Sequence, residues 1–140
     1  MDKDELFAAS DHLVLTPPYN PGNHHAVGAA ELARMKASAT LINVARGGIV
    51  DDAALADALA NGRLAAAGLD VYENEPNLPP ALLACRNIVL TPHIASASTA
   101  TRRAMVALAV DNLVAALGAG PLAGRPPNPI NADALLARGA

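Results

Sequence analysis

Along this chain, short apolar runs alternate with longer segments whose apolar residues recur every three or four positions, and Gly, Pro, Asp and Asn mark the breaks. His12-Leu-Val-Leu15, Thr40-Leu-Ile-Asn-Val44, Ala66 to Val71 and Asn87-Ile-Val-Leu90 read as strands, the first stopped at Thr16-Pro-Pro18, where proline ends pairing. Helical spacing covers Asp2 to Ala9 and Ala29 to Lys36. A further helix, capped by Asp51 or Asp52, runs to Ala60, with Gly62 where a left-handed terminating residue belongs. Ser98 or Thr99 opens a final long helix to about Leu117. Tyr19 to Val27 reads as turns, and the stretch with Pro76, Pro79 and Pro80 as a loop. Gly118 to Asn131, rich in Gly and Pro, is expected to be extended or mobile.

Strands that alternate with helices and lack a polar face predict an α/β fold with a parallel sheet covered on both sides. Right-handed crossovers then make a doubly wound layer the natural topology. Residues 1–118 would form this domain with its final helix, and residues 119–140 a tail. Ligands of such sheets bind beyond the carboxyl ends of the strands. Thr16, Arg46, Asp70 and His93 all fall there.

Composition narrows the partner. With 140 residues, 52% apolar and 16% charged, the chain is long enough for one core of useful size. A net charge of −3 and the lack of a basic block argue against nucleic acid and anionic membranes, leaving a small molecule. The longest apolar run, Ala104 to Ala119, is broken by Asp111-Asn112 and is too short to cross a bilayer. Cys85 is the single cysteine, and the acidic start Met1-Asp-Lys-Asp-Glu5 is unlike a secretion signal. A cytoplasmic setting is expected.

Three strand-end segments carry chemistry: Asn43-Val-Ala-Arg-Gly-Gly48, Asp70-Val-Tyr-Glu-Asn-Glu-Pro76 and Thr91-Pro-His-Ile94. The planar guanidinium of Arg46 suits a two-pronged grip on a carboxylate, and Gly47-Gly48 let backbone approach a ligand. Its bland alternative is a surface pair with Asp51 or Asp52. His93 at the same edge can deliver a proton, and Glu75 or Glu73 would stabilise its imidazolium form. Periodicity does not choose between the two. Asp70 can accept a hydrogen bond from a carboxamide or ribose, or simply cap the turn after its strand. His24-His25, with His12 elsewhere, form neighbouring imidazoles in a turn with no evident carboxylate or thiolate partner, so no metal site is expected. No Ser-His-Asp set has the strained elbow of an acyl-transfer enzyme.

Asn43-Val-Ala-Arg-Gly-Gly-Ile-Val-Asp51, Ala67-Gly-Leu-Asp-Val-Tyr-Glu-Asn-Glu-Pro76 and Leu90-Thr-Pro-His-Ile-Ala-Ser96 resemble the signatures of the D-isomer-specific 2-hydroxyacid dehydrogenases. The resemblance runs from about Asp4 to Leu117. Leu15-Thr-Pro-Pro-Tyr19, His24-His25 and Ala95-Ser-Ala-Ser98 look most like the glyoxylate/hydroxypyruvate reductase branch, which includes 2-ketogluconate reductases. It implies the second half of a Rossmann-type doubly wound sheet plus a long C-terminal helix. Arg46 would bind the substrate carboxylate and carbonyl oxygen, Glu75 would be the acidic partner, and His93 the proton donor in reduction of a 2-oxo acid. The implied cofactor is NAD or NADP, with NADPH favoured by the branch, contacted by Thr16, Pro17, Val44, Ala45, Arg46, Asp70 and His93 through Ser96, including Ala95. Asp70 would face the nicotinamide carboxamide. Ala95 departs from the glycine many members carry.

The family also implies a Gly-x-Gly-x-x-Gly loop and a cofactor selector before the residue matching Asp4, a substrate domain, and a homodimer. This chain lacks that loop, and Arg46-Gly-Gly48 has the wrong spacing to replace it. It is expected to bind nicotinamide cofactor weakly by itself and not to turn over. The final helix, apolar almost all round, is expected to expose a patch prone to association. Two readings stay open: a segment of a reductase, or a non-catalytic α/β module that acts through a partner chain. An α/β domain unrelated to redox chemistry would not carry all three motifs in order. The coding sequence before Met1 separates the first two.

Overall fold

The computed structural model describes residues 1–131, so the end of the Gly/Pro-rich segment expected over 119–140 lies outside the described residues. Two compact units are present, Met1–Ala95 and Ser96–Ala140. In the first, α1 (Lys3–Ala9), β1 (His12–Leu15), α2 (Ala29–Arg34), β2 (Thr40–Asn43), α3 (Asp52–Ala60), β3 (Ala66–Leu69), α4 (Pro80–Ala84) and β4 (Ile88–Leu90) follow in turn. The strands lie side by side in chain order, all parallel. That is the α/β layer the alternation predicts.

Local hydrogen bonding starts the helices where the polar residues suggest. Asp2 accepts from the Glu5 amide at 2.8 Å while Glu5 accepts from the Asp2 amide at 3.1 Å, a reciprocal cap on α1. Asp51, not Asp52, caps α3, taking the Ala53 and Ala54 amides at 3.0 Å each. Gly62 follows the C-cap of α3 at φ +66°, the conformation glycine adopts most cheaply.

The proline-rich loop expected before β4 contains a helix. Pro80 stands at the start of α4, where a missing N–H costs nothing. Pro21–Asn23 likewise forms a short 3-10 turn within Tyr19 to Val27.

A second difference concerns the sheet. Because each strand adds beside its predecessor in one direction, right-handed crossovers put their helices on one face. Neighbours α1 and α2, α2 and α3, and α3 and α4 pack together there. Leu13, Leu15, Leu41, Ala67 and Leu69 meet Phe7, Leu32, Leu55, Leu59 and Leu82 in the core. Strand residues of opposite parity stay open: Val14 is 53% and Val89 67% exposed. The expectation of cover on both sides is therefore met on one side only.

In the second unit, α5 (Thr99–Ala116) is capped by Ser98, whose hydroxyl accepts from the Thr101 amide at 3.1 Å. Ala115 is buried, while Met105, Val106 and Leu113 are each more than half exposed. The residues after it fold back instead of extending: the Gly124 amide donates to Ala115 O at 2.7 Å and the Asn128 amide to Asn112 Oδ1 at 2.9 Å.

Candidate active site

Thr16 follows β1, Arg46 follows β2, Asp70 follows β3 and His93 follows β4, so all four stand at the carboxyl edge of the sheet. The Arg46 turn is shaped from below by Asn43, which is almost fully buried. Its side-chain amide donates to Arg46 O at 3.1 Å and its carbonyl accepts from the Ala45 amide at 3.1 Å. Gly47 lies so close to the next loop that a Cβ would sit 1.7 Å from Tyr72 O.

Thr16, Pro17, Val44, Ala45, Arg46 and Glu75 line one cleft of about 790 Å³. Glu73, the other carboxylate weighed for His93, lines it too, as do Tyr19 and Tyr72, which stand inside the motifs without a role of their own. Arg46 is exposed, donates through Nη1 to Ala45 O at 2.6 Å, and forms no ion pair among the described residues. The pairing with Asp51 or Asp52 does not occur: Asp51 caps α3, and Asp52 accepts from the Glu73 amide at 3.1 Å.

His93 pairs with Glu75, not Glu73: Nδ1 lies 2.7 Å from Glu75 Oε2. The other oxygen, Oε1, accepts from the Tyr72 amide at 2.9 Å. Partial burial pushes the Glu75 carboxyl up, but the bonds from His93 and Tyr72 outweigh it and hold the group below its usual value. His93 has φ +54°, a left-handed backbone that histidine tolerates better than most residues. Its amide donates to Asp70 O at 2.9 Å. His93 thus reaches the cleft through Glu75 and is not one of its walls.

Asp70 is 4% exposed and fully engaged within the chain. Oδ1 accepts from Thr91 Oγ1 at 2.5 Å and the Ile94 amide at 2.8 Å, and Oδ2 from the Ala95 amide at 2.8 Å. Burial raises its pKa, and these three donors together with the nearby imidazole more than reverse the effect. The carboxylate therefore fastens the 91–95 loop. Ala95 belongs to that loop, and Ser96 opens the second unit.

His24 and His25 have a carboxylate partner after all. Glu73, 48 positions away, bonds His25 Nε2, and Asp51 Oδ2 stands 3.9 Å from Nδ1. The expectation of none fails because the turn after β3 folds against the Tyr19–Val27 segment, a proximity no spacing within either segment reveals. His12 stays apart, its Nδ1 2.8 Å from Thr40 Oγ1.

The chain matches the family model described as D-isomer specific 2-hydroxyacid dehydrogenase, NAD binding domain, over residues 1–95. It is 53% identical over 118 residues to glyoxylate/hydroxypyruvate reductase B of Erwinia tasmaniensis, covering 83% of this chain and 36% of that protein. Among solved structures, the NADPH-dependent glyoxylate/hydroxypyruvate reductase of Sinorhizobium meliloti, complexed with NADP and malonate, superposes with TM-score 0.78 at 47% identity, covering 89% of this chain and 40% of that one. A protein from Thermus thermophilus gives TM-score 0.82 at 44% identity over 93% of this chain and 40% of its own. The chain thus spans little more than a third of the length of the curated relatives it matches. With the motifs, the parallel sheet and this match in agreement, the chain belongs to the D-isomer specific 2-hydroxyacid dehydrogenase family, NAD binding domain.

Proposed function

We propose that this chain supplies the reacting-centre half of an NAD(P)H-dependent reductase that turns a small 2-oxo acid, such as glyoxylate or hydroxypyruvate, into its 2-hydroxy acid. The observation that carries the reading is Glu75, which lines the Arg46 cleft and holds His93 Nδ1 at 2.7 Å. One carboxylate thereby links the anion grip to the proton donor.

The cleft suits the flat nicotinamide end of the cofactor: its volume is within the roughly 300–1,000 Å³ of small-molecule sites, and small Thr16, Pro17 and Ala45 line it. Among the described residues no strand leads through a glycine-rich loop into a helix that would seat the pyrophosphate. Gly118-Ala-Gly120 has a suggestive glycine spacing, but it follows helix α5 instead of a strand. When bound, the reduced nicotinamide supplies hydride to the 2-oxo carbon. Arg46, which pairs with no carboxylate among the described residues, takes the substrate carboxylate. His93, with Nδ1 turned to Glu75, presents Nε2 to the carbonyl oxygen and donates the proton that balances the hydride. Glu75 stabilises the imidazolium before transfer, and solvent returns the proton afterwards. Asp70 fixes the loop that carries His93 and Ala95. NADPH is favoured by the likeness to the Sinorhizobium enzyme, and a cytoplasmic homodimer completes the reading.

A hybrid tests it. Residues 1–117 replace the matching segment of the Erwinia reductase, and NADPH oxidation is followed with glyoxylate and hydroxypyruvate. The hybrid is expected to turn over. A folded hybrid without activity, or one whose activity survives His93→Gln, overturns the proposal.

A further inference from the structure

Outside the Arg46, Glu75 and His93 group, three ligand-type side chains gather from distant parts of the chain. His24, His25 and Glu73 each bring one ligand atom within 4.8 Å of the others. The two imidazoles stack with centroids 4.0 Å apart, and Glu73 bonds His25 Nε2. Their backbone is held independently of these side chains. The His25 amide donates to Gly48 O at 2.7 Å, the Val27 amide to Ile49 O at 3.0 Å, and the Asp51 amide to Val27 O at 3.0 Å. Tyr19 Oη lies 3.3 Å from His24 Nδ1, steadying that ring.

Charge around the cluster is unbalanced. Glu73 and Asp51 both face His25, and Asp52 accepts from the Glu73 amide at 3.1 Å. Carboxylates thus crowd around one imidazole that can carry at most a single positive charge. Two imidazoles with one carboxylate form a donor set that suits Zn²⁺ and the neighbouring divalent transition metals, and disfavours Mg²⁺ and Ca²⁺.

We infer that His24, His25 and Glu73 form a binding site for a Zn²⁺-like divalent cation, with a fourth position open to water, at the rim of the Arg46 cleft that Glu73 also lines. Bonds of roughly 2.0–2.1 Å put tetrahedral ligand atoms about 3.3 Å apart, so side-chain rotation of the order of 1 Å closes the set. The proton between His25 and Glu73 is displaced as the metal enters.

The test is calorimetric titration of the full 140-residue chain with ZnCl₂ at about pH 7.5, alongside the visible absorption of added Co²⁺. One ion per chain and a tetrahedral Co²⁺ spectrum are expected. His24→Ala and Glu73→Gln should each weaken binding by at least about tenfold and abolish the spectrum, while His12→Ala retains both. His24 is exposed and outside the core, so its variant stays folded, as far-UV circular dichroism checks. Absence of Zn²⁺ uptake, or a folded His24→Ala chain that binds as tightly as the parent, overturns the site.

Discussion

Gly47→Ala gives the sharpest test of how the site is assembled. The added Cβ would lie 1.7 Å from Tyr72 O, 2.2 Å from Tyr72 C and 2.9 Å from the Glu73 amide nitrogen. All three are backbone atoms, so no side chain can rotate away. The closest contact falls about 1.3 Å short of the 3.0 Å below which such contacts essentially never occur. Relief requires moving the Arg46–Gly48 turn off the Tyr72–Glu73 segment, breaking contacts on both sides. Overpacking of well-fitted sites costs about 1–3 kcal/mol, and a clash between two backbones belongs at or above the upper end. Gly62→Ala is the control. Its Cβ meets nothing within 4 Å, so only the φ of +66° opposes it, at about 1–2 kcal/mol. Urea melts followed by far-UV circular dichroism and tyrosine fluorescence should show Gly47→Ala losing clearly more stability than Gly62→Ala. A Gly47→Ala midpoint equal to that of the parent would refute the argument that these two loops are pressed together.

Acid should act through Asp70 and Glu75. Both are held below their ordinary values of 3.8 and 4.5 in the folded chain, so their contribution is present above those values and is lost as pH falls through the lower folded ones. Asp52, raised, works in the opposite sense and opposes folding once ionised. Midpoints should drop between about pH 5 and pH 3, and Asp70→Asn, which sets an amide N–H against the donors of the 91–95 loop, should cost about 1–3 kcal/mol at pH 7 and flatten that slope. In the hybrid reductase, His93→Gln should lower kcat by about 10²–10⁴, and Glu75→Gln should move the pH–rate profile to lower pH. Arg46→Lys should raise KM by losing the bidentate grip, as steady-state kinetics would read. The chain by itself should show no micromolar NADPH affinity in calorimetry. Sedimentation at rising concentration should reveal association through the exposed apolar residues of α5, and a monodisperse monomer would count against it.

The strands were legible because each is a short apolar run stopped by a polar or proline residue, and the caps because Asp2, Asp51 and Ser98 carry the required acceptor in the required place. Helix α4 was hidden by its prolines, which read as a loop until Pro80 is allowed the first helical position. The bare face of the sheet was hidden for another reason. Val14 and Val89 are apolar whether or not anything covers them, so composition does not separate a covered strand face from an open one. At the site, strand ends indicated which edge carries the chemistry, and the residues alone left Glu73 and Glu75 equivalent. What distinguishes them is the fold of the turn between Tyr72 and Pro76, which sends one carboxylate to His93 and the other to His25. Asp70 was readable as a strand-end acceptor, but its three donors come from residues 21 to 25 positions later.

The seating of Gly47 on Tyr72, with Glu75 three residues further on reaching His93, makes the short stretch from Tyr72 to Glu75 a common fulcrum. Any tilt of that stretch would shift the guanidinium's footing and the imidazole's anchor at once. Substitutions there should therefore spoil ligand capture and proton delivery together, whereas changes in either flanking segment can tune one and spare the other.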